Sequence, residues 1–259
     1  MKISIDTERG SIECRPPDGP PRTVDLYSAE GLRLVSEIWL RQEWNQMRWR
    51  SFSWHGLQIL QFPGDVLRLQ EALVALRPDV IVETGVHRGG SSVFFASVCR
   101  LLGRGRVVSI DISIPGEVRQ AIEASPFADL ITLIEGDSAG GETVARVRRE
   151  IRPGERVFVF LDSDHSKAHV LREMEAYSGL VTPGSYIVAT DGVMGLLADT
   201  PNGSPEWRAD NPAEAAREFA ARHPEFAIRR PRALFGEEHV VEVLTYWPDA
   251  WLLRLPGEA

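Results

Sequence analysis

The sequence predicts a doubly wound α/β sheet, and three observations carry that prediction. Short apolar runs of β-forming residues recur through the middle of the chain, helical stretches fill the gaps between them, and glycine-bearing or acidic turns follow the runs. The runs lie at 80–82, 107–110, 131–134, 157–161 and 186–189, and the helices at about 90–102, 116–124, 139–151 and 166–178. Runs that are apolar on both faces suit parallel strands sandwiched between helix layers. Strand-helix alternation makes the sheet doubly wound. Right-handed crossovers bring the carboxyl ends of the strands to one edge, where such folds bind ligands.

The flanking segments read differently. Residues 1–63 are expected to form an N-terminal arm and helical extension, and 64–259 the main domain. The first 24 residues are polar and carry Pro16, Pro17, Pro20 and Pro21, which suggests an extended arm. From Ser28 to about Arg48, Leu32, Val35, Ile38 and Trp39 recur at helical spacing. Trp44, Trp49 and Trp54 form an aromatic cluster, either packing or one wall of a substrate pocket. A second helix, 65–76, places Leu69, Leu73 and Leu76 on one face. The stretch 192–211 is rich in Gly, Pro, Asp and Asn; a loop of that length is expected to be functional, here a lid bearing Trp207. A helix at 212–222 starts on Pro212, and strands at 226–230 and 239–246 are expected to pair antiparallel.

Composition narrows the function. The 259 residues carry a net charge of −8, with a pI of about 5.4. A nucleic-acid binder would need a basic surface to replace counterions, so that class is excluded. Cys14 and Cys99 are far apart and read as free thiols in a reducing compartment. A basic segment leading into an apolar core is missing from the first residues, and no apolar run approaches the roughly 20 residues that span a bilayer. A cytoplasmic protein with no membrane partner is expected.

The residues that carry chemistry follow the strands. After the first run comes Glu83-Thr84-Gly85-Val86-His87-Arg88-Gly89-Gly90-Ser91. Glycines allow tight turns and close backbone approach, and the following helix offers free amide donors. The order is not the G-x-G-x-x-G that cradles a dinucleotide pyrophosphate. An acidic strand end with spaced glycines suits a ligand bearing an ammonium and a carboxylate, as S-adenosylmethionine (SAM) does; Glu83, Gly85, Gly89 and Ser91 are the contacts expected. Asp111, ending the second strand, is placed to accept from ribose hydroxyls, which NAD(P) enzymes do equally. Asp137 and Ser138 end the third strand and are candidates for a base edge or for helix caps. Asp162, Asp164 and Asp191 end the fourth and fifth strands. Carboxylates so grouped need a partner or a cation, and oxygen donors of this kind suit Mg²⁺. His165, Lys167 and His169 follow closely as candidate proton-transfer groups.

Taken together, these motifs resemble the cephalosporin hydroxylase family of SAM-dependent methyltransferases, related to macrolide-sugar and rhamnosyl O-methyltransferases. The resemblance rests on Trp54-His55-Gly56, Gln61-Phe62-Pro63-Gly64-Asp65, Gln70-Glu71, the 78–85 stretch, Gly89-Gly90-Ser91, Ile110-Asp111-Ile112, Gly136-Asp137-Ser138, Leu161-Asp162-Ser163-Asp164-His165 and the 184–188 stretch. It implies a Rossmann-like sheet with an antiparallel C-terminal strand, SAM as cofactor (Asp162 touching it as well as the metal) and, in many members, a divalent metal on residues matching Asp162 and Asp191. Thr190 departs from the family, which often has a second acidic residue there; Asp164 or water would complete the shell. The expected activity is O-methylation of a small-molecule hydroxyl, on a sugar or secondary metabolite such as an antibiotic, by a homo-oligomer. The alternatives are an NAD(P)-dependent oxidoreductase and a non-catalytic SAM-binding subunit.

Overall fold

The computed structural model describes residues 2–16, 18–232, 235 and 244–257. It opens with a three-stranded antiparallel sheet of β1 (Lys2–Asp6), β2 (Ser11–Arg15) and β3 (Arg22–Asp25). This sheet replaces the extended arm expected for residues 1–24. The short alternation decides it: Ile12, Cys14 and Val24 are buried against Leu34. Pro16, Pro20 and Pro21 lie in the connection between β2 and β3, where a missing N–H breaks no ladder.

Helix α1 (Ala29–Asn45) starts as expected, with Ser28 Oγ accepting from the Gly31 N–H at 3.1 Å. Its buried face is not the expected one. Leu34 and Leu40 are buried, whereas Leu32, Ile38 and Trp39 stay 42%, 40% and 39% exposed. The reason is that α1 serves two cores: Leu34 joins the small N-terminal sheet, and Leu40 joins the main core. A short hairpin, β4 (Ser53–Trp54) and β5 (Leu57–Gln58), leads to α2 (Pro63–Leu76), which buries Leu69 and Leu73 as its spacing requires.

The strand-helix alternation then unfolds within a few residues of expectation: β6 (Val80–Thr84), α3 (Gly90–Leu102), β7 (Arg106–Asp111), α4 (Gly116–Glu123), β8 (Ile131–Glu135), α5 (Gly141–Arg149), β9 (Val157–Leu161), α6 (Lys167–Tyr177) and β10 (Tyr186–Ala189). The chain ends in α7 (Met194–Leu197), α8 (Pro212–Arg222), β11 (Phe226–Ile228) and β12 (Trp251–Arg254). Seven strands form one sheet in the order β11-β12-β10-β9-β6-β7-β8. β6 to β10 pair in parallel, and β12 runs antiparallel to both β10 and β11. The antiparallel C-terminal strand is therefore Trp251–Arg254. Of the expected strand at 239–246, residues 239–243 lie outside the described residues and 244–246 are not in a strand.

Alternation along β9 shows how the sheet holds its helices. Phe158 and Phe160 face a cluster with Phe94, Phe95, Trp247 and Trp251, while Val157, Val159 and Leu161 face one with Met174, Tyr177 and Phe219. Both faces are thus closed off, and ligand access is left to the strand ends. The winding proceeds β6, β7, β8 in one direction and resumes with β9 and β10 on the other side. That reversal opens a crevice above β6 and β9. No helix among the described residues is long and apolar enough to cross a membrane.

The segment 192–211 is not an open loop. It contains α7 and a 3-10 turn (Pro205–Arg208), and it packs on α1. Arg41 pairs with Asp199 at 2.6 Å, the Asn202 amide N–H donates to Asn45 Oδ1 at 2.9 Å, and Trp207 meets Trp44 edge to face at 6.1 Å.

Candidate active site

The crevice is a cavity of about 690 Å³. Ten of the residues singled out in the sequence line it: Gly85, Ser91, Asp111, Asp137, Ser138, Asp162, Asp164, His165, His169 and Asp191. Trp44 and Trp49 line it as well, so two of the three tryptophans form a wall. Trp54 belongs to the packing reading: it meets Phe94 edge to face and its Nε1–H donates to Ser97 Oγ at 3.0 Å.

The glycine loop owes its course to close packing. Gly85 has φ of +90° and donates its N–H to the Ile110 carbonyl at 2.7 Å, and a Cβ there would lie 2.0 Å from the Asp162 carbonyl oxygen. A side chain at this position would push the end of β6 away from the end of β9. Gly85→Ala is therefore expected to cost about 2–4 kcal/mol of stability from backbone strain and overpacking. Denaturant melts would read that loss. Gly89, also at positive φ (+80°), precedes α3 and lies outside the cavity lining.

Glu83 lies beneath this loop, fully buried. Its Oε2 accepts from Ser92 Oγ at 2.5 Å and Ser109 Oγ at 2.6 Å, while Oε1 has no partner among the described residues. Burial pushes its pKa up. Asp111 closes the neighbouring strand, with Oδ2 accepting from the His87 N–H at 2.9 Å and Oδ1 from the Ser113 N–H at 3.2 Å. On β8's end, Asp137 is exposed and accepts from the Ala139 N–H, whereas Ser138 is buried.

The acidic end of the cavity is built by β9 and β10. Asp162 Oδ2 accepts from Gln61 Nε2 at 2.8 Å, and Oδ1 accepts from the Thr190 hydroxyl. Asp191, at a left-handed φ of 58°, follows Thr190, and its Oδ2 is 3.4 Å from His165 Nε2. Among the described residues, donor atoms of Asp162, His165 and Asp191 lie within 4.8 Å of one another. Burial first, and the neighbouring Asp191 charge second, hold the Asp162 carboxyl well above the usual carboxylate range. Burial raises Asp191 too, opposed by His165. Asp164 is not part of the cluster: it is exposed, and its Oδ1 accepts from the Ser166 N–H at 2.7 Å as a local turn closure. His165 stands where Asp164 was expected.

The three candidate proton-transfer groups separate. His165 faces Asp191 inside the cavity. Lys167 points away, with Nζ 2.9 Å from Glu218 of α8. The cause is the helix: α6 begins at Lys167, so Lys167 falls on the face packed against α8 and His169 on the face turned to the cavity. Lys167→Ala is expected to leave turnover unchanged in a steady-state assay. His169 lines the cavity, but both of its ring nitrogens are engaged: Nδ1 by Arg172 Nη2 at 2.9 Å, Nε2 by Ser138 Oγ at 3.1 Å and Glu173 Oε1 at 3.4 Å. Proximity to Glu173 raises its pKa. It has no free lone pair with which to take a proton from an acceptor.

Two site residues escaped the sequence reading. Gln61 orients Asp162 from 101 positions away, and its only signal was its place in the Gln61-Phe62-Pro63-Gly64-Asp65 motif. Glu173, fully buried on α6, accepts from Ser163 Oγ at 2.7 Å, and no motif or spacing marks it in the sequence.

Similarities to known proteins bear on the family and the fold. The profile of the family described as Rhamnosyl O-methyltransferase/CmcI matches residues 46–255. A rhamnosyl O-methyltransferase of Mycobacterium leprae is 32% identical over 161 residues, covering 61% of this chain and 67% of its own. One of Mycobacterium tuberculosis is 31% identical over 158 residues, covering 61% and 63%. The chain thus spans about two thirds of the length of these relatives in the aligned region. A CmcI apo-structure aligns over 94% of this chain and 87% of its own, at 20% identity and a TM-score of 0.55. A structure of the MycE methyltransferase from the mycinamycin biosynthetic pathway, in complex with Mg and SAH, covers 95% and 66% at 17% identity and a TM-score of 0.50. At these identities the structural likeness concerns the fold.

Proposed function

The chain belongs to the Rhamnosyl O-methyltransferase/CmcI family, and on that premise we propose that it transfers the methyl group of SAM to a hydroxyl of a small molecule, a sugar or a sugar-bearing secondary metabolite. The observation that carries this reading is one continuous cavity. It joins a nucleoside-sized wall at Asp111, Asp137 and Ser138 to the carboxylate pair Asp162 and Asp191 with His165.

The residues present fit both groups the family implies. The unpartnered Oε1 of Glu83, buried beneath the glycine loop, is an acceptor suited to an ammonium group reached through water. Asp111 retains acceptor capacity on both oxygens for a ribose diol, and Asp137 keeps one oxygen for an amine. Two half-buried carboxyls side by side, with the Asp191 charge raising the proton affinity of Asp162, suit a divalent cation, with Asp162 and Asp191 as its oxygen donors. When bound, SAM supplies an electrophilic methyl group, and Mg²⁺ would lower the pKa of a coordinated hydroxyl.

The chain's own residues do the rest. Gln61 and Thr190 each donate to one oxygen of Asp162 and so fix its carboxyl plane. Thr190 thereby acts as an orienting group. His165 Nε2 receives the proton of the acceptor hydroxyl, and Asp191, 3.4 Å away, balances the imidazolium that results. Asp164, beside the cluster, closes the turn that presents His165. Trp44 and Trp49 form an apolar wall that excludes water and suits the face of a sugar ring. The segment 192–211, docked on α1, braces this wall through Trp207, which meets Trp44 edge to face. The exposed Leu32, Ile38 and Trp39 of α1 suit contact with a second copy in a homo-oligomer. Buried free thiols at Cys14 and Cys99 suit a reducing cytoplasm.

The test is transfer of an isotope-labelled methyl group from SAM to a panel of rhamnosides and other glycosides, with and without Mg²⁺. Label appearing on a sugar hydroxyl supports the proposal; a panel that stays unlabelled while SAM is bound points to a non-catalytic subunit.

A further inference from the structure

Beside Ser138 lies a set of polar side chains that proton transfer does not use: His169, Arg172, Glu173 and Ser163. Their donors and acceptors constrain one another. A guanidinium only donates, so His169 Nδ1, 2.9 Å from Arg172 Nη2, must accept. A neutral ring then carries its hydrogen on Nε2, and the protonated ring that Glu173 favours carries one there too. Of the two acceptors near Nε2, Ser138 Oγ is closer (3.1 Å) than Glu173 Oε1 (3.4 Å), which already accepts from Ser163 at 2.7 Å. Whichever of the two takes the ring hydrogen, Nε2 cannot accept from Ser138 Oγ, so the Ser138 proton is left for the cavity. The Ser138 carbonyl is pinned in turn by the Tyr177 hydroxyl at 2.6 Å, and Ser138 itself is 5% exposed, so its position is set on both sides.

We propose that His169 is a positioning residue that turns the Ser138 hydroxyl into an obligate donor toward the cavity, so that this wall selects a heteroaromatic edge with a ring acceptor beside an exocyclic amine. Asp137, next in the chain and lining the same cavity, is acceptor-only when ionised and takes the amine. Donor beside acceptor is the pattern that an adenine edge complements and a hypoxanthine edge opposes. Arg172 and Glu173 act through the ring, one fixing its tautomer and the other backing its Nε2–H. This inference rests on the cavity being a SAM site.

The experiment compares S-adenosylhomocysteine with its hypoxanthine counterpart by titration calorimetry, without turnover. Wild-type protein should prefer the adenine ligand by about tenfold or more, the worth of a reversed buried hydrogen bond. His169→Phe keeps the ring volume and removes both nitrogens. It should cut that preference to the level of Ser138→Ala, and the double variant should fall no further. His169→Gln retains an amide donor and should keep most of the preference. Arg172→Ala, at an exposed position that leaves folding intact, frees the tautomer and should lower the preference by about threefold. A purely structural His169 would weaken both ligands equally. An unchanged preference in His169→Phe and Arg172→Ala, or additive effects of His169→Phe and Ser138→Ala, would overturn the proposal alone. Wild-type protein that binds neither ligand would overturn the SAM reading with it.

Discussion

His165→Ala is expected to lower kcat by about 10²–10⁴-fold, the usual contribution of a positioned general base, while S-adenosylhomocysteine binds within about twofold of wild type because that ligand's contacts lie elsewhere. Geometry eliminates the other two candidates. Lys167 is tied to Glu218, and His169 has both nitrogens committed to Arg172, Ser138 and Glu173. His165 alone of the three sits within the carboxylate cluster, 3.4 Å from Asp191. Stopped assays under saturating SAM, paired with calorimetry, separate the two effects. Full turnover in His165→Ala would remove it as the base.

The second large effect concerns Asp191. Burial raises the native pKa of both Asp162 and Asp191, with mutual repulsion adding to Asp162. Above the unfolded carboxyl value of about 4, the native state therefore holds more protons than the unfolded chain. Stability contributed by these groups is present at low pH and is lost as pH rises through their native pKa values. In EDTA, Asp191→Asn removes one of the two charges. It is expected to stabilise the protein at neutral pH by about 1–3 kcal/mol and to flatten the decline with pH. Mg²⁺ should raise the Tm of the wild type and leave the variant nearly unmoved. Turnover should fall in the variant, since Asp191 also backs His165. Thermal melts across about pH 5–8, with EDTA and with Mg²⁺, check all of this except turnover. A wild-type Tm that rises with pH across that window would reverse the sign argued here.

Much of this was readable in the sequence, for physical reasons. The five central strands are apolar on both faces, so their identity did not depend on where the helices went. The residues closing them, Asp111, Asp137, Asp162 and Asp191, could be placed on the cavity edge by topology alone. Local patterns misled where two bodies compete for one element. On α1, Leu34 and Leu40 serve different cores, and the more regular Leu32-Val35-Ile38-Trp39 series is left largely outside. The N-terminal strands were hidden by prolines that sit in a connection. β12, only four residues long, follows the Pro248-Asp249 turn and is held by Trp251 and Leu252, a signal too short for periodicity. Within the site, position along a helix could not decide what each side chain meets. Lys167 and His169 are two residues apart, yet one faces α8 and the other the cavity. Nor could sequence spacing bring Gln61 to Asp162.

The central claim is that the strand-end cavity is built for SAM and not for a nicotinamide dinucleotide. Parallel calorimetric titrations of wild-type protein and Asp111→Ala with S-adenosylhomocysteine and NADH test it most directly. The account predicts saturable binding of S-adenosylhomocysteine, weakened about tenfold or more in Asp111→Ala by loss of charge-assisted bonds to the ribose, and no heat from NADH. Saturable binding of NADH with none of S-adenosylhomocysteine would contradict it.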